Sequence, residues 1–457
     1  MSYRPSVGPL GLAALLSLAS FSAAAAQSGT NPDDNCSAIE SWFPHDQTPE
    51  PDSAHFTPDS ACSFHRWSWQ MFLWLTQEVD GKPRFLSFQS PYTLLDLDNR
   101  SSMLPRLEKS ASPRALDEYL QAGTEGIMID QNGRALYYSQ YLNDTFVSFV
   151  QDQKLLDPEV VRQFDPQTPF PVDTLELKAS WKIVMPGEKT AGFFTMPSSV
   201  YKLVNRDGAI VVDDTQPIDA TLALVGFHIG GVVKDHPEMI WATFEHKDNA
   251  PDVPATFDAD TPISDRDWTF YKANTPYSGC NINPAKSVEL KLDEASQTLS
   301  PITQVCRRYA FGNDPNETTQ SVPTNIADVK RLNASVLSQL SGEDVWSNYF
   351  QIGAIWFAPG ATLEPNMTLA TDTQGSGANK QQLLTGSLKL SNAAVETFTQ
   401  SQSTMNNCFR CHNTLQRFPP KPSLDPLPGL NLNISHAFVN LYFWSQELAQ
   451  QKQTEAN

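Results

Sequence analysis

Hydrophobic and polar positions change period along this chain, and the changes divide it. From about Cys62 to Val79 the apolar residues Trp67, Met71, Trp74 and Leu75 recur at helical spacing, predicting a helix that buries one face. Further helical patterns cover Pro113–Ala122 and Asp144–Val161. From about Pro171 the period becomes two. Thr174–Val184 alternates and carries β-formers, as do Gly192–Thr195, Ala209–Asp213, Ala220–His228 and Met239–Phe244. A helix over Ile326–Leu340 and a strand over Trp346–Trp356 follow, then a Gly/Gln-rich loop at Thr371–Gln382. Near the C-terminus Ser391 N-caps a helix over Asn392–Gln402 with Glu396 in its first turns. A Pro-rich stretch from Phe418 to Pro428 leads to an amphipathic helix, Ile434–Glu447, whose Phe438, Leu441 and Trp444 need an apolar surface.

The fold class read from this pattern is α+β. A helical N-terminal section (27–170) precedes a β-rich central region (171–384) of antiparallel strands, and a C-terminal helical segment (385–457) packs on it. No internal repeat is visible.

Residues 1–26 form a separate unit. They hold one charge, Arg4, then an apolar run from Leu10 to Phe21 and Ala24-Ala25-Ala26 before Gln27. This is the pattern of a secretory signal peptide, which places the protein in the periplasm. No later stretch approaches the ~20 apolar residues that a membrane-spanning helix requires.

Composition narrows the partners. The chain of 457 residues carries 51 acidic and 32 basic side chains, a net charge of −19. Such a surface repels nucleic acid and anionic lipid, and favours a basic redox protein or a cation. Aromatics reach 10% while charged residues make up only 18%, so the chain has the apolar content for a well-filled core.

One short motif names a chemistry. Cys408-Phe409-Arg410-Cys411-His412 is the attachment pattern of a c-type haem, with two thiols for the vinyl groups and a histidine for the iron. A zinc-binding cysteine pair and a reducible CxxC are the competing readings. Export favours haem, because c-type haem is attached on the exported side of the membrane. One covalently bound haem c is the expected cofactor, held by Cys408, Cys411 and His412. The other four cysteines, Cys36, Cys62, Cys280 and Cys306, are an even number in an oxidising compartment. Of three connectivities, pairing sequence neighbours is the simplest.

The sixth iron ligand stays open. No methionine follows His412, so the usual downstream thioether is excluded. His436 is a candidate distal ligand, as are Met367 and Met405 from upstream. His228 and His246, beside Glu245, are candidates for a metal site or the distal face, against a plain reading as hydrogen-bonded strand residues.

Leu224–Ile229, Ile240–Pro251, Leu177–Lys182 and Ala394–Gln400 together resemble a family of exported proteobacterial cytochrome c-like proteins with a single C-terminal CxxCH motif. The resemblance implies covalent haem at Cys408, Cys411 and His412 and a mixed, β-rich fold, with no assigned reaction. A fainter similarity is to cytochrome P460-type proteins, which implies Lys178 as the strand lysine linked to the haem. The leading expectation is electron transfer with a redox partner protein. The alternatives are a haem enzyme, peroxidase- or P460-like with an open distal site, and a β scaffold with a structural or zinc-bound cysteine pair. No nucleotide-binding glycine fingerprint or nucleophile elbow stands out.

Overall fold

A computed structural model describes Met1 and residues 36–56, 60–95, 104–105, 126–284, 289–319, 321–369, 373–374, 381–401, 407–419 and 421–456. The leader over 1–26, the helix expected over Pro113–Ala122, and Met405 lie outside the described residues.

The class is α+β, built on a large antiparallel sheet. Its strands are β1 (Leu104–Pro105), β2 (Tyr137–Leu142), β3 (Leu175–Ile183), β4 (Thr195–Arg206), β5 (Ala209–Val233), β6 (His236–His246), β7 (Tyr349–Phe357) and β8 (Leu384–Gly386). They lie in the order β8-β7-β6-β5-β3-β2-β1, with β4 paired to the first half of β5. The section expected to be helical, 27–170, therefore also supplies the strand β2. Every residue of β2 is buried, so its sequence shows no alternation to mark it as a strand.

The helices are α1 (Ala61–Thr76), α2 (Pro91–Leu94), α3 (Asp144–Asp152), α4 (Pro158–Arg162), α5 (Ser321–Leu337) and α6 (His436–Ala456). Both sheet faces are covered. On one, Leu177, Phe227, Ile229 and Phe244 share a core with Trp67, Trp69 and Phe72 of α1 and with Leu332 and Val336 of α5. Phe72 stacks on Phe244 with ring centres 4.2 Å apart, and Trp69 Nε1 donates to Asn333 Oδ1 of α5 at 2.8 Å. On the other face a second core joins Trp241, Ile352 and Ile355 of the sheet to Phe146, Phe170, Phe409 and Phe438.

Several elements depart from the sequence pattern. The helix expected over Asp144–Val161 is two, α3 and α4, because Lys154 takes a positive φ of 55° and the Asp157 side chain accepts the Glu159 amide to cap a new start at Pro158. The strands expected at Ala209–Asp213 and Ala220–His228 are one strand of 25 residues. Its register against β4 shifts between Tyr201 and Lys202, which absorbs the Asp213–Pro217 interruption as a bulge. Gly192–Thr195 is mostly loop, and β4 begins only at Thr195. Of the helix expected over Asn392–Gln402, the described part, 392–401, is turns and a 3-10 segment over Thr397–Ser401. There Ser391 Oγ pairs with Thr399 Oγ1 at 2.7 Å and Thr397 Oγ1 donates to the Ala393 carbonyl, so side chains take over from the helical ladder. No helix among the described residues is long and apolar enough to cross a membrane.

Cys36 bridges Cys62, and Cys280 bridges Cys306, each closing a sequence separation of 26. The first ties the N-terminal arm to the start of α1. The second closes the long insertion between β6 and α5.

Candidate functional site

Register brings the site together. Gln140 on β2 lies opposite Lys178 on β3, Lys178 opposite His228 on β5, and His228 opposite Thr243 on β6. Two residues along, Leu142, Glu176, Gly230 and Trp241 form a second row on the same face. Gln140, Lys178, His228, Glu176 and Trp241 of these rows line a small cleft together with Glu396, His412 and His436.

Of the CxxCH segment, His412 lines the cleft. Cys408–Arg410 is one turn of 3-10 helix, and the His412 amide donates back to the Cys408 carbonyl at 2.9 Å. Phe409 anchors the turn, fully buried against Phe357. Arg417 Nη2 donates to the Cys411 carbonyl at 2.6 Å and to the Asn413 carbonyl at 3.2 Å. Neither cysteine is in a disulfide. Burial, then the charge of Glu396, pushes the Cys408 thiol well above its ordinary value, so it is protonated at neutral pH.

His412 is held in one tautomer. Its Nδ1 lies 2.8 Å from the Ile434 carbonyl, which can only accept, so Nδ1 carries the proton. Nε2 therefore bears the lone pair, and the ring lines the cleft. Burial pushes the His412 pKa down to about 3, with the nearby cationic side chains adding to the effect, so the ring is neutral at pH 7. It packs against Trp241, ring centres 3.8 Å apart, and stacks on His436 at 3.8 Å with planes 16° apart.

His436, the candidate distal ligand, thus sits beside His412 and not across a cofactor's width from it. Its Nε2 donates to the Cys411 carbonyl at 3.1 Å, and burial holds its pKa well below the ordinary value. The face of α6 expected to meet a cofactor meets protein: Phe438 packs on Phe170 and Trp444 stacks on Tyr92.

His228 and His246 are not a pair. His246 donates from Nε2 to the Gly192 carbonyl at 2.9 Å and accepts the Asp248 amide at Nδ1, so both nitrogens are occupied. Glu245 forms a buried ion pair with Arg307. His228 instead faces the cleft, with Nε2 3.1 Å from Glu396 Oε1 but out of hydrogen-bond alignment. Met367 is buried in the second core, outside the cleft wall, with its amide bound to Thr414 Oγ1 at 2.8 Å. Lys178 lines the cleft with its ammonium 5.4 Å from the centre of the Tyr138 ring.

Gln140, Glu176 and Trp241 were not singled out from sequence. Glu176 is the most unusual of them. One carboxylate oxygen accepts the Ala437 amide at 3.1 Å at the start of α6, while Oε2 has no hydrogen bond. Burial raises its pKa to about 7 against the opposing pull of Ser435 and the Ala437 amide. Trp241 Nε1 is also buried without a partner. Orphaned polar atoms of this kind cost roughly 1–3 kcal/mol each, and both belong to residues of the cleft wall.

Among the described residues, no group of three or more His, Cys, Asp or Glu could hold a metal ion. Cys408 and Cys411 thus lack the further ligands of a structural zinc site. Covalent haem attachment asks of the protein two cysteines outside any disulfide and one neutral imidazole nitrogen. The residues present fit that set. Compared with protein-family models, curated proteins and solved structures, the chain shows no significant match.

Proposed function

We propose that the protein is a periplasmic monohaem c-type cytochrome acting in electron transfer, with one covalent haem c. The observation that carries the reading is the tautomer of His412. The Ile434 carbonyl fixes the proton on Nδ1 and leaves the Nε2 lone pair for iron, beside two thiols that form no disulfide. Hydrogen bonding of the far ring nitrogen is the usual way a protein orients a metal-binding imidazole. Cys408 and Cys411 would hold the macrocycle, Trp241 and His436 fix the plane of the His412 ring, and Arg417 clamps the turn through two carbonyls. A haem so held would supply one-electron transfer. The resemblance to exported cytochrome c-like proteins supports the same reading. The two disulfides accord with an oxidising compartment, and a redox protein is the expected partner.

Expression with a haem-maturation system tests it. The pyridine haemochrome spectrum should show a haem that resists acid-acetone extraction, and Cys408→Ser/Cys411→Ser protein should lose it. Extractable haem in the parent, or covalent haem in the double variant, overturns the reading.

A second reading, a haem enzyme with an open distal site, is favoured by the ionisable side chains of the cleft. Lys178, His228, Glu176 and Glu396 place ionisable groups on the cofactor cleft, where electron transfer alone needs only an apolar wall.

A further inference from the structure

The chain is acidic, but its charge is unevenly laid out. From Thr397 to Leu424 there is no Asp or Glu, while Arg410, Arg417 and Lys421 all fall on this stretch. The stretch contains the CxxCH turn, whose Cys408 and Cys411 are both partly exposed. Arg410, inside the motif, is exposed. The carboxylates that come next are engaged: Asp425 with Arg162 at 3.1 Å and Glu447 with Lys421 at 2.8 Å. Arg417 donates to carbonyls of the turn and, among the described residues, pairs with no carboxylate. The same face carries an apolar feature. Phe418 is 69% exposed, the one exposed aromatic side chain among the described residues. Arg417 and Leu427 exchange both backbone hydrogen bonds at 2.9 Å, which sets Phe418 beside the exposed Pro426. α6 pins this hairpin from behind. Gln446 Oε1 accepts the Asp425 amide at 2.8 Å and its Nε2 donates to the Asp425 carbonyl at 3.1 Å. Tyr442 Oη donates to the Pro426 carbonyl at 3.1 Å, and Gln450 Nε2 to the Ser423 carbonyl at 2.8 Å. The outward ring of Phe418 therefore belongs to the fold. An aromatic flanked by arginines is the composition of an interface centre, and a backbone already fixed loses little freedom on binding.

We infer that Phe418, with Arg410 and Arg417 beside the CxxCH turn, is the docking surface for the redox partner, a protein that presents an apolar spot within an acidic rim. The inference rests on the covalent-haem reading and names the partner class. Net charge alone, at −19, points to the opposite, a basic partner. The local cations decide, because exposed charges more than about 8–10 Å apart are largely screened near physiological salt. A protein seated on the turn senses Arg410 and Arg417 more strongly than carboxylates elsewhere on the chain. Docking there also brings it against the two cysteines that would hold the haem.

Two small oxidants of opposite charge read the field at the turn, each taking one electron from the ferrous haem. Ferricyanide is an anion and tris(phenanthroline)cobalt(III) a cation. The ferricyanide rate should fall as salt is raised and the cobalt rate should rise, the reverse of what the net charge dictates. Arg410→Gln should flatten both slopes. For the apolar part, a peptide of Glu and Leu should bind the holoprotein in fluorescence anisotropy. Phe418→Ser, at a position largely outside the packing, should weaken that binding about tenfold, the size expected of an interface anchor. A peptide of Lys and Leu should be indifferent to the substitution. Salt slopes that follow the net charge overturn the inference, as does equal binding of the acidic peptide by parent and Phe418→Ser protein. A parent dimer that dissociates in Phe418→Ser protein, seen by sedimentation, assigns the surface to a second copy and overturns it too. A parent without covalent haem in the haemochrome assay overturns the cofactor reading, while the peptide measurement still reads the surface.

Discussion

Trp241 occupies the space that a side chain at position 230 would fill. A Cβ built on Gly230 would come within 2.7 Å of Cζ3 and 2.9 Å of Cη2 of that indole. Gly230 lies opposite Trp241 in the sheet register, and Trp241 packs on His412. A missing side chain on one strand thus sets the position of the ring beside the candidate iron ligand.

Gly230→Ala should therefore drive Trp241 toward the cleft. Overpacking of this kind costs about 1–3 kcal/mol. Urea denaturation should show that loss, together with a lower yield of covalent haem per chain. Unchanged stability and haem yield would mean that the indole is free to move aside.

The side-by-side stacking of His436 and His412 leads to a different expectation for position 436. His436→Ala removes a buried ring and its hydrogen bond to the Cys411 carbonyl, a loss on the order of 2 kcal/mol. The haem should still attach, and the spin state of the ferric protein should not change. Conversion from low spin to high spin in the optical or EPR spectrum would show that His436 ligates iron.

Glu245 joins two parts of the fold. One carboxylate oxygen pairs with Arg307 and the other accepts the Ala393 amide at 2.7 Å, with both side chains of the ion pair almost fully buried. Glu245→Ala leaves a buried guanidinium without this partner, which costs about 3–5 kcal/mol. Thermal or urea unfolding should register a loss of this size, well beyond that of an exposed pair such as Lys272–Asp267.

Asp130 predicts a pH dependence with a definite sign. Burial raises its pKa from 3.8 to about 6, against the pull of the Arg134 and Asn132 amides and the Lys182 charge. The folded state then binds the proton more tightly than the unfolded chain. The contribution to stability is greatest below pH 4 and falls as pH rises to about 6, by on the order of 3 kcal/mol. Asp130→Asn keeps an acceptor for both amides and carries no charge. It should match the parent near pH 4 and exceed it above pH 7 in urea denaturation. Equal stability of the two proteins at pH 8 would refute this account.

What the sequence made legible follows from how local each signal is. The CxxCH turn and the neighbour pairing of Cys36 with Cys62 and Cys280 with Cys306 are short-range features, and the structure has both disulfides. α1 and β3 were visible because their sequences carry the pattern, Trp67, Met71, Trp74 and Leu75 at helical spacing and an alternation rich in β-formers over Thr174–Val184. β2 was hidden because both of its faces are covered, and α3–α4 merged because the break depends on a single residue, Lys154, at positive φ. The cleft was least legible. Gln140, Lys178 and His228 are polar strand residues that each resemble a surface position. Only the register of β2, β3 and β5 shows that they form one row, and register among distant strands has no signature in any one of them.

The raised thiol pKa of Cys408 bears on an order of events. The folded chain closes its cleft with the hydrogen bond from the Ala437 amide to Glu176, across a sequence separation of 261 residues. Once closed, it leaves Cys408 partly exposed with its thiol protonated, in the state least able to react. On the haem reading proposed above, a cofactor joined at this position would have to reach the segment while the sheet and the C-terminal helix are still apart, before the molecule acquires its final shape.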